Sequence, residues 1–466
     1  MQTENKLGTE RIGKLLFSLA LPSIAAQIIN VLYNIVDRMY IGHIPVIGAS
    51  ALTGVGVTMP VILLISAFAA LIGFGGAPRA AIMMGRGDND SASEIMGGCL
   101  AALTVLSVLL TAVFLLFSRE ILLAFGASET TLPYALEYMN LYACGTIFVQ
   151  FSLGMNAFIT TQGFAKMSML TVVIGAVLNI ALDPLFIFGF GMGVRGAALA
   201  TVLSQAVSAV WVVAFLSGKR TILKIRREDL RIRASVLLPV LALGVSPFIM
   251  QATESVLSIS FNTSLLRYGG DIAVGAMTIL ASMMQFTMLP LQGMTQGLQP
   301  IVSFNYGARR PERVKKAFLL GLSSGLCYSM LLWGCIMLFP RVFAMLFTDD
   351  AALIEYTAWA LRVYMAVAGI FGIQIVCQQT FLALGNAKTS LLLALLRKVI
   401  LLIPLIFILP NFFTDKVFAV FLAEPVADAL AVTVTAVTFF FQFRRTMRKL
   451  SDEAAGNPDA SAEEAQ

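Results

Sequence analysis

The sequence predicts an all-α polytopic membrane protein, with twelve transmembrane helices arranged as two parallel six-helix repeats. Three observations predict it. Of 466 residues, 58% are hydrophobic and only 12% are charged, and the mean hydropathy is +0.86; a soluble chain carries about a quarter charged residues. Apolar stretches near or above the roughly 20 residues that span a bilayer as a helix recur twelve times. One constant offset relates the two halves of the chain.

The spans, numbered in order, fall at about 13–41, 46–76, 94–117, 134–162, 167–189 and 196–217, then 236–266, 272–303, 314–339, 353–384, 389–410 and 417–442. None alternates in polarity over about ten residues, as a membrane β-strand does. The first span is long and no small-residue cleavage site follows it, so it reads as a helix and not a secretory signal. Cys99, Cys144, Cys327, Cys335 and Cys377 lie in apolar spans without CxxC spacing, which excludes a disulfide or zinc framework. His43 is the lone histidine. No Walker A pattern is present, so ATP is not the expected driving force.

The net charge of +6 sits in the connections, where it sets topology and meets anionic headgroups; nucleic acid is not an expected partner. With both termini on one side, that side collects 23 of the 32 Lys and Arg residues and the other side 7. By the positive-inside rule both termini face the cytoplasm of a plasma (inner) membrane. The repeat is read from residues. Adding 222 carries Pro78, Gly85, Arg119, Tyr134, Tyr142, Gly163, Lys166 and Ser168 onto Pro300, Gly307, Arg341, Tyr356, Tyr364, Gly385, Lys388 and Ser390. Six helices per half give both halves the same orientation, a plan found among secondary transporters. The expected organisation is a first lobe over 1–217, a basic linker over 218–234, a second lobe over 235–450 and a disordered tail over 451–466.

Ionisable side chains inside spans cost about 2.5–3.5 kcal/mol each to insert, so they mark function by default. Span 1 carries Gln27, Asn30, Tyr33, Asn34 and Asp37 at steps of three and four, along one stripe of a helix. Span 5 carries Asn179 and Asp183, and span 6 Thr201 and Gln205, each pair one turn apart. Asp37, Asp183 and Thr201 lie roughly 8–9 Å below the same end of their helices at 1.5 Å per residue. Two carboxylates, an amide and a hydroxyl at one depth predict a cation or proton site. Otherwise Asp37 reaches the interface and Asp183 marks the break at Pro184.

The second half is not a copy here. Span 7 carries Glu254 near mid-membrane, with Gln251, Ser258 and Asn262 on its face, and span 8 is crowded with methionines, including Met284 and Met288. Arg397 and Lys398 in span 11 are expected to pair with Glu424 and Asp428 in span 12, as structural ion pairs. Pro22 is the expected hinge of span 1.

The run LALPSIAAQIINVLYNIVDRMYIGHIPVIGASAL (19–52), the LNIALDPLFIF of span 5, the QGFAKMS and LGNAKTS loops and LLRKVILLIPLIFILP (395–410) resemble the multidrug and toxic compound extrusion family. The resemblance covers residues 11 to 449. It implies two six-helix lobes in a V around a central cleft, and exchange of Na⁺ or H⁺ for organic, often cationic and amphipathic compounds. It further implies a first-lobe site of Asp37, Tyr33, Asn179, Asp183 and Thr201, with Pro22 as the proline that bends. Another branch pairs a helix 7 glutamate with a helix 10 aspartate; Glu254 matches the first, but Gln374 and Gln378 are the polar residues of span 10, which leaves Glu254 as a substrate-facing charge.

The expected activity is therefore secondary active multidrug export by alternating access in a bacterial membrane. The expected protein is a monomer among lipids, with small drug-like substrates and no cofactor beyond the coupling ion, H⁺ or Na⁺. A flippase of a lipid-linked saccharide precursor is the alternative, although it requires in-span cations in excess of carboxylates. An enzyme such as a polyprenyl transferase lacks its Asp-rich metal motifs here.

Overall fold

The computed structural model of the chain describes residues 6–454, without the side chains of Ala49, Ser255 and Asp271. The described residues are helical, with no strand among them. Ten helices are long and apolar enough to cross a membrane, and two bent pairs complete the twelve spans. We label them α1 (Ile12–Gly42), α2 (Gly48–Gly85), α3 (Asn89–Leu116), α4 (Leu132–Cys144 with Thr146–Thr161), α5 (Ala165–Gly189) and α6 (Val194–Leu216). The second set is α7 (Ala234–Gly270), α8 (Ile272–Gly307), α9 (Pro311–Leu338), α10 (Ala351–Tyr364 with Ala368–Ala383), α11 (Ala387–Asn411) and α12 (Lys416–Ala454).

The bent helices occupy equivalent places in the repeat. α4 turns by 60° at Gly145 and α10 by 51° just after Met365, so 145 plus 222 falls on the second bend. At the first bend a Cβ on Gly145 would lie 2.6 Å from Val202, so α6 packs against bare backbone there. α7 and α8 meet at Gly270, whose φ of 66° is open to glycine and strained for other residues.

The helices form two compact units, Leu21–Gln251 and Met1–Ala20 with Ala252–Gln466. This differs from the division at 217 and 235 expected from the sequence: each unit includes the first part of the other repeat's leading helix. The reason is close backbone packing at equivalent glycines. In the first unit a Cβ on Gly75 would lie 2.1 Å from the Val240 carbonyl oxygen, and one on Gly244 would lie 1.7 Å from that of Leu71, so α2 and the start of α7 touch backbone to backbone. In the second unit Gly297, which is Gly75 plus 222, meets Ala20 of α1 the same way, at 2.5 Å. Small residues permit such crossings inside a membrane, where van der Waals packing replaces the hydrophobic effect between helices.

Each unit has its own apolar core. The first gathers Ile41, Val55, Ile65, Leu110, Phe114 and Tyr138, the second Leu257, Phe261, Leu280, Ile336, Leu361 and Phe421. Outward faces are apolar too: Val108, Leu109, Leu331 and Phe441 are more than half exposed, as lipid-facing side chains are. The linker packs on the first unit. Arg226 pairs with Asp90 at 2.9 Å and Arg233 with Glu94, and Gln162 Oε1 accepts from the Ile222 and Leu223 amides at 2.9 Å each. In the second unit the segment before α1 is fastened by Arg313, which donates to the carbonyls of Leu7 and Glu10. Ser451–Ala454 continue α12, because helix formation outlasts the apolar pattern; the rest of the expected tail lies outside the described residues.

Candidate functional site: a buried carboxyl pair in the first unit

α1, α4, α5 and α6 converge on a polar site in the first unit. Asp183 is fully buried and Asp37 is 6% exposed. Their carboxyl groups face each other closely enough to interact directly. Two carboxyls this close repel each other when both are ionised, so the pair suits one shared proton or a bound cation. Asn179, one turn before Asp183 on α5, donates from Nδ2 to Asp183 Oδ1 and to Thr201 Oγ1, at 3.3 Å each. Tyr138 shares a hydrogen bond with Thr201 and stacks on Tyr142, with ring centroids 6.1 Å apart.

Three acceptor oxygens at this site, Asp37 Oδ1, Asp183 Oδ2 and Asn179 Oδ1, are buried without a protein donor. A cluster of orphaned oxygens is the chemistry that a proton or a hard cation satisfies. The local fold explains its placement. Pro184 cannot donate to the preceding turn, and the regular helix gives way to a π-helical turn at Leu185–Gly189 immediately after Asp183.

All five residues expected at the cation site thus fall together. Tyr33 lies beside Asp37 and hydrogen-bonds Asn34, whose Nδ2 also donates to the Asn30 carbonyl at 2.6 Å. Asn30 and Gln205, expected to line the cleft, instead share one cavity with Tyr33, Asn179 and Thr201. Gln27 and Gln251 are half-buried. Tyr138 was not singled out from the sequence; its signal was a row of tyrosines at 134, 138 and 142, four residues apart within a span. Pro22 is buried within α1, two residues past the point where the two units divide that helix.

The second unit holds a different cluster. Arg397 donates from Nε to Asp428 at 2.7 Å and from Nη2 to Glu424 at 3.1 Å, and lies 4.5 Å over the Phe371 ring. Lys398 pairs with Glu254 of α7, where the sequence expectation set it against α12. The backbone supplies the reason: both cations sit in a π-helical turn, Leu396–Leu402, that faces Arg397 to α12 and Lys398 to α7. Glu254, expected as a substrate-facing charge, is therefore engaged by a cation, although its side chain remains 61% exposed. Ser258 is exposed, Met284 packs on the unit's core and Met288 is half-buried.

Paired six-helix units with ionisable residues held at membrane depth define a membrane transporter. The chain belongs to the MatE family, whose model matches residues 22–185 and again 247–408, once in each repeat. It is 23% identical over 425 residues to the multidrug export protein MepA of Staphylococcus haemolyticus, covering 91% of this chain and 93% of the relative. It is 26% identical over 441 residues to the FAD transporter of Shewanella oneidensis, covering 92% and 95%. Its fold matches that of a crystal structure described as MATE in the bent conformation, with a TM-score of 0.90, 24% identity and coverage of 97% and 100%. An outward-facing multidrug resistance MATE transporter matches with a TM-score of 0.89 at 24% identity, covering 96% and 99%.

Proposed function

We propose that this chain is a cation-coupled exporter of organic, often cationic and amphipathic compounds, working by alternating access in a bacterial plasma membrane with both termini cytoplasmic. The observation that carries the reading is the facing Asp37–Asp183 pair, buried between two spans, with one oxygen of each carboxyl and Asn179 Oδ1 lacking a donor. A titratable pair at membrane depth serves to take up an ion on one side and release it on the other. The pair joins α1 to α5, so its occupancy changes how firmly α1 is held, and Pro22 is where α1 bends in response. Coupling follows if the ion binds the two transport states with different affinity.

The ion is H⁺ or Na⁺; no other cofactor is invoked, and a single chain acts as a monomer. Relatives differ in cargo, one being named for drugs and another for FAD. Here Arg397 and Lys398 are both engaged by carboxylates, which favours a cationic cargo over nucleotides or the pyrophosphate of a lipid-linked saccharide.

The test is energised efflux of ethidium from cells expressing the chain, beside an Asp183→Asn variant at equal expression. Uphill export by the wild type and none by the variant supports the reading, and replacing Na⁺ by K⁺ then identifies the ion. Full export by both Asp37→Asn and Asp183→Asn removes the mechanism.

A further inference from the structure

The polar chemistry of the first unit does not stop at the carboxyl pair. It continues along α5 towards the start of that helix, on the face turned to α4 and α6. Asn179 links Asp183 to Thr201. One turn on, at Gly175, a cavity with about 50 Å³ of space for water opens against α6. Beyond it Thr171 donates to Asn156 Oδ1 at 3.1 Å, Ser208 donates to the Thr171 carbonyl at 3.1 Å, and Asn156 donates to the Ser168 carbonyl at 3.2 Å. Ser152 and Gln205 flank the same cavity, 2.5 Å apart. From Asp183 to Ser168 this path covers roughly 22 Å at 1.5 Å per residue.

A membrane protein buries such a series only at cost, since each hydroxyl and amide must find a partner away from water. The cavity is polar enough and wide enough for more than one water, each of which needs at least about 10–15 Å³ and two or more polar partners. Asn179, one of the residues lining it, has a buried Oδ1 that accepts from nothing in the protein. Gly175 keeps the path open. A Cβ there would lie 2.8 Å from Ser208 Oγ of α6.

We propose that water in this cavity forms the middle of a file that conducts a proton between the Asp37–Asp183 pair, which adjoins the cavity at Asn179, and the Ser168 end of α5, inside the first unit. The proposal rests on the cation-coupled reading and deepens it, by taking the ion as H⁺ and giving it a route. In the step itself the protonated carboxyl transfers its proton to the first water and is left as a carboxylate. Each water accepts one proton and passes on another, and one proton leaves at Ser168 for each one given up. Reloading runs the same sequence backwards.

The experiment uses the full chain in lipid nanodiscs and reads hydrogen–deuterium exchange of the protonated-carboxyl stretch by time-resolved infrared on mixing with D₂O. Asp183→Asn assigns the band. In the wild type the band shifts promptly. Gly175→Val fills the path and slows exchange severalfold, whereas Gly56→Val, which meets open space, leaves it prompt. Should Gly175→Val fail to fold, as read by size-exclusion profile, Thr171→Val tests the same path by deleting one link of nearly equal size, and it too slows exchange. Exchange as fast as wild type in a folded Gly175→Val or Thr171→Val chain overturns the proposal. So does the absence of any carboxyl band that Asp183→Asn removes, because the pair then holds no proton. Failure of the exporter reading shows separately, as undiminished ethidium export by the aspartate variants.

Discussion

Asp37 of α1 and Asp183 of α5, 146 positions apart in the chain, bring their carboxyl groups face to face inside the first unit. Two carboxyl groups in this relation cannot both be ionised without repulsion in a medium that screens charge poorly. The pair is thus a device with two settings, joined through a proton or a cation, or pushed apart. Asn179 fixes one side of it by donating to Asp183 and Thr201 from a single nitrogen.

Removing that donor separates stability from coupling. Asn179→Leu leaves Asp183 and Thr201 without their partner and is expected to cost about 1–3 kcal/mol, the penalty for stranding buried polar groups. Asn179→Asp adds a third carboxyl and is expected to change the pH dependence of efflux more than the thermal midpoint. Unfolding by intrinsic fluorescence and ethidium efflux across a pH series measure the two effects; equal loss of both by both variants would contradict the assignment.

The second unit's cluster makes a prediction with a sign. Glu254, Glu424 and Asp428 surround Arg397 and Lys398, three acids to two cations. Neutralising one acid, by Glu424→Gln or Asp428→Asn, balances the cluster and is expected to leave the thermal midpoint near that of the wild type. Neutralising both strands Arg397 and is expected to destabilise by about 3–5 kcal/mol, as does removing one partner of a buried pair. Chemical unfolding of the three variants decides it, and equal destabilisation by each single change would refute the balance.

The glycine crossings predict symmetric damage. Gly75→Val places a side chain against the Val240 carbonyl and Gly297→Val against the Ala20 backbone. Each is expected to lower the yield of monodisperse protein sharply, since backbone cannot yield as a side-chain tip can. Gly56→Val meets open space and serves as the control. Size-exclusion profiles of the three variants provide the comparison.

Gln162 holds the linker from inside the first unit. Gln162→Leu is expected to cost about 1–3 kcal/mol by stranding the Ile222 and Leu223 amides. Asp90→Asn removes an exposed, solvent-screened ion pair with Arg226, which contributes little. Limited proteolysis within 219–233 ranks them, with Gln162→Leu cut faster.

Much of the molecule is legible along the chain because the membrane imposes it. A span has to be apolar over about 20 residues, and an ionisable side chain within it has to have a reason. Hence the twelve spans, the repeat offset and the grouping of Asp37, Asn179, Asp183 and Thr201 at one depth were read from order and spacing, and Tyr33 was added to them by the family resemblance. Tyr138 escaped because a tyrosine within an apolar span resembles ordinary packing until its hydroxyl is seen on Thr201.

The sequence by itself determined which residues are polar at depth, since the cost of burying them is a property of each residue and its neighbours along a helix. Only the tertiary structure decided who partners whom. Lys398 turns to Glu254 because a π-helical turn redirects it. The leading helices cross between repeats because glycines far away in the chain admit their backbones. Asn30 and Gln205 join the cavity beside the acid pair because α1 and α6 meet α5 there. Such choices depend on contacts between segments distant in sequence, and periodicity along one helix carries no record of them.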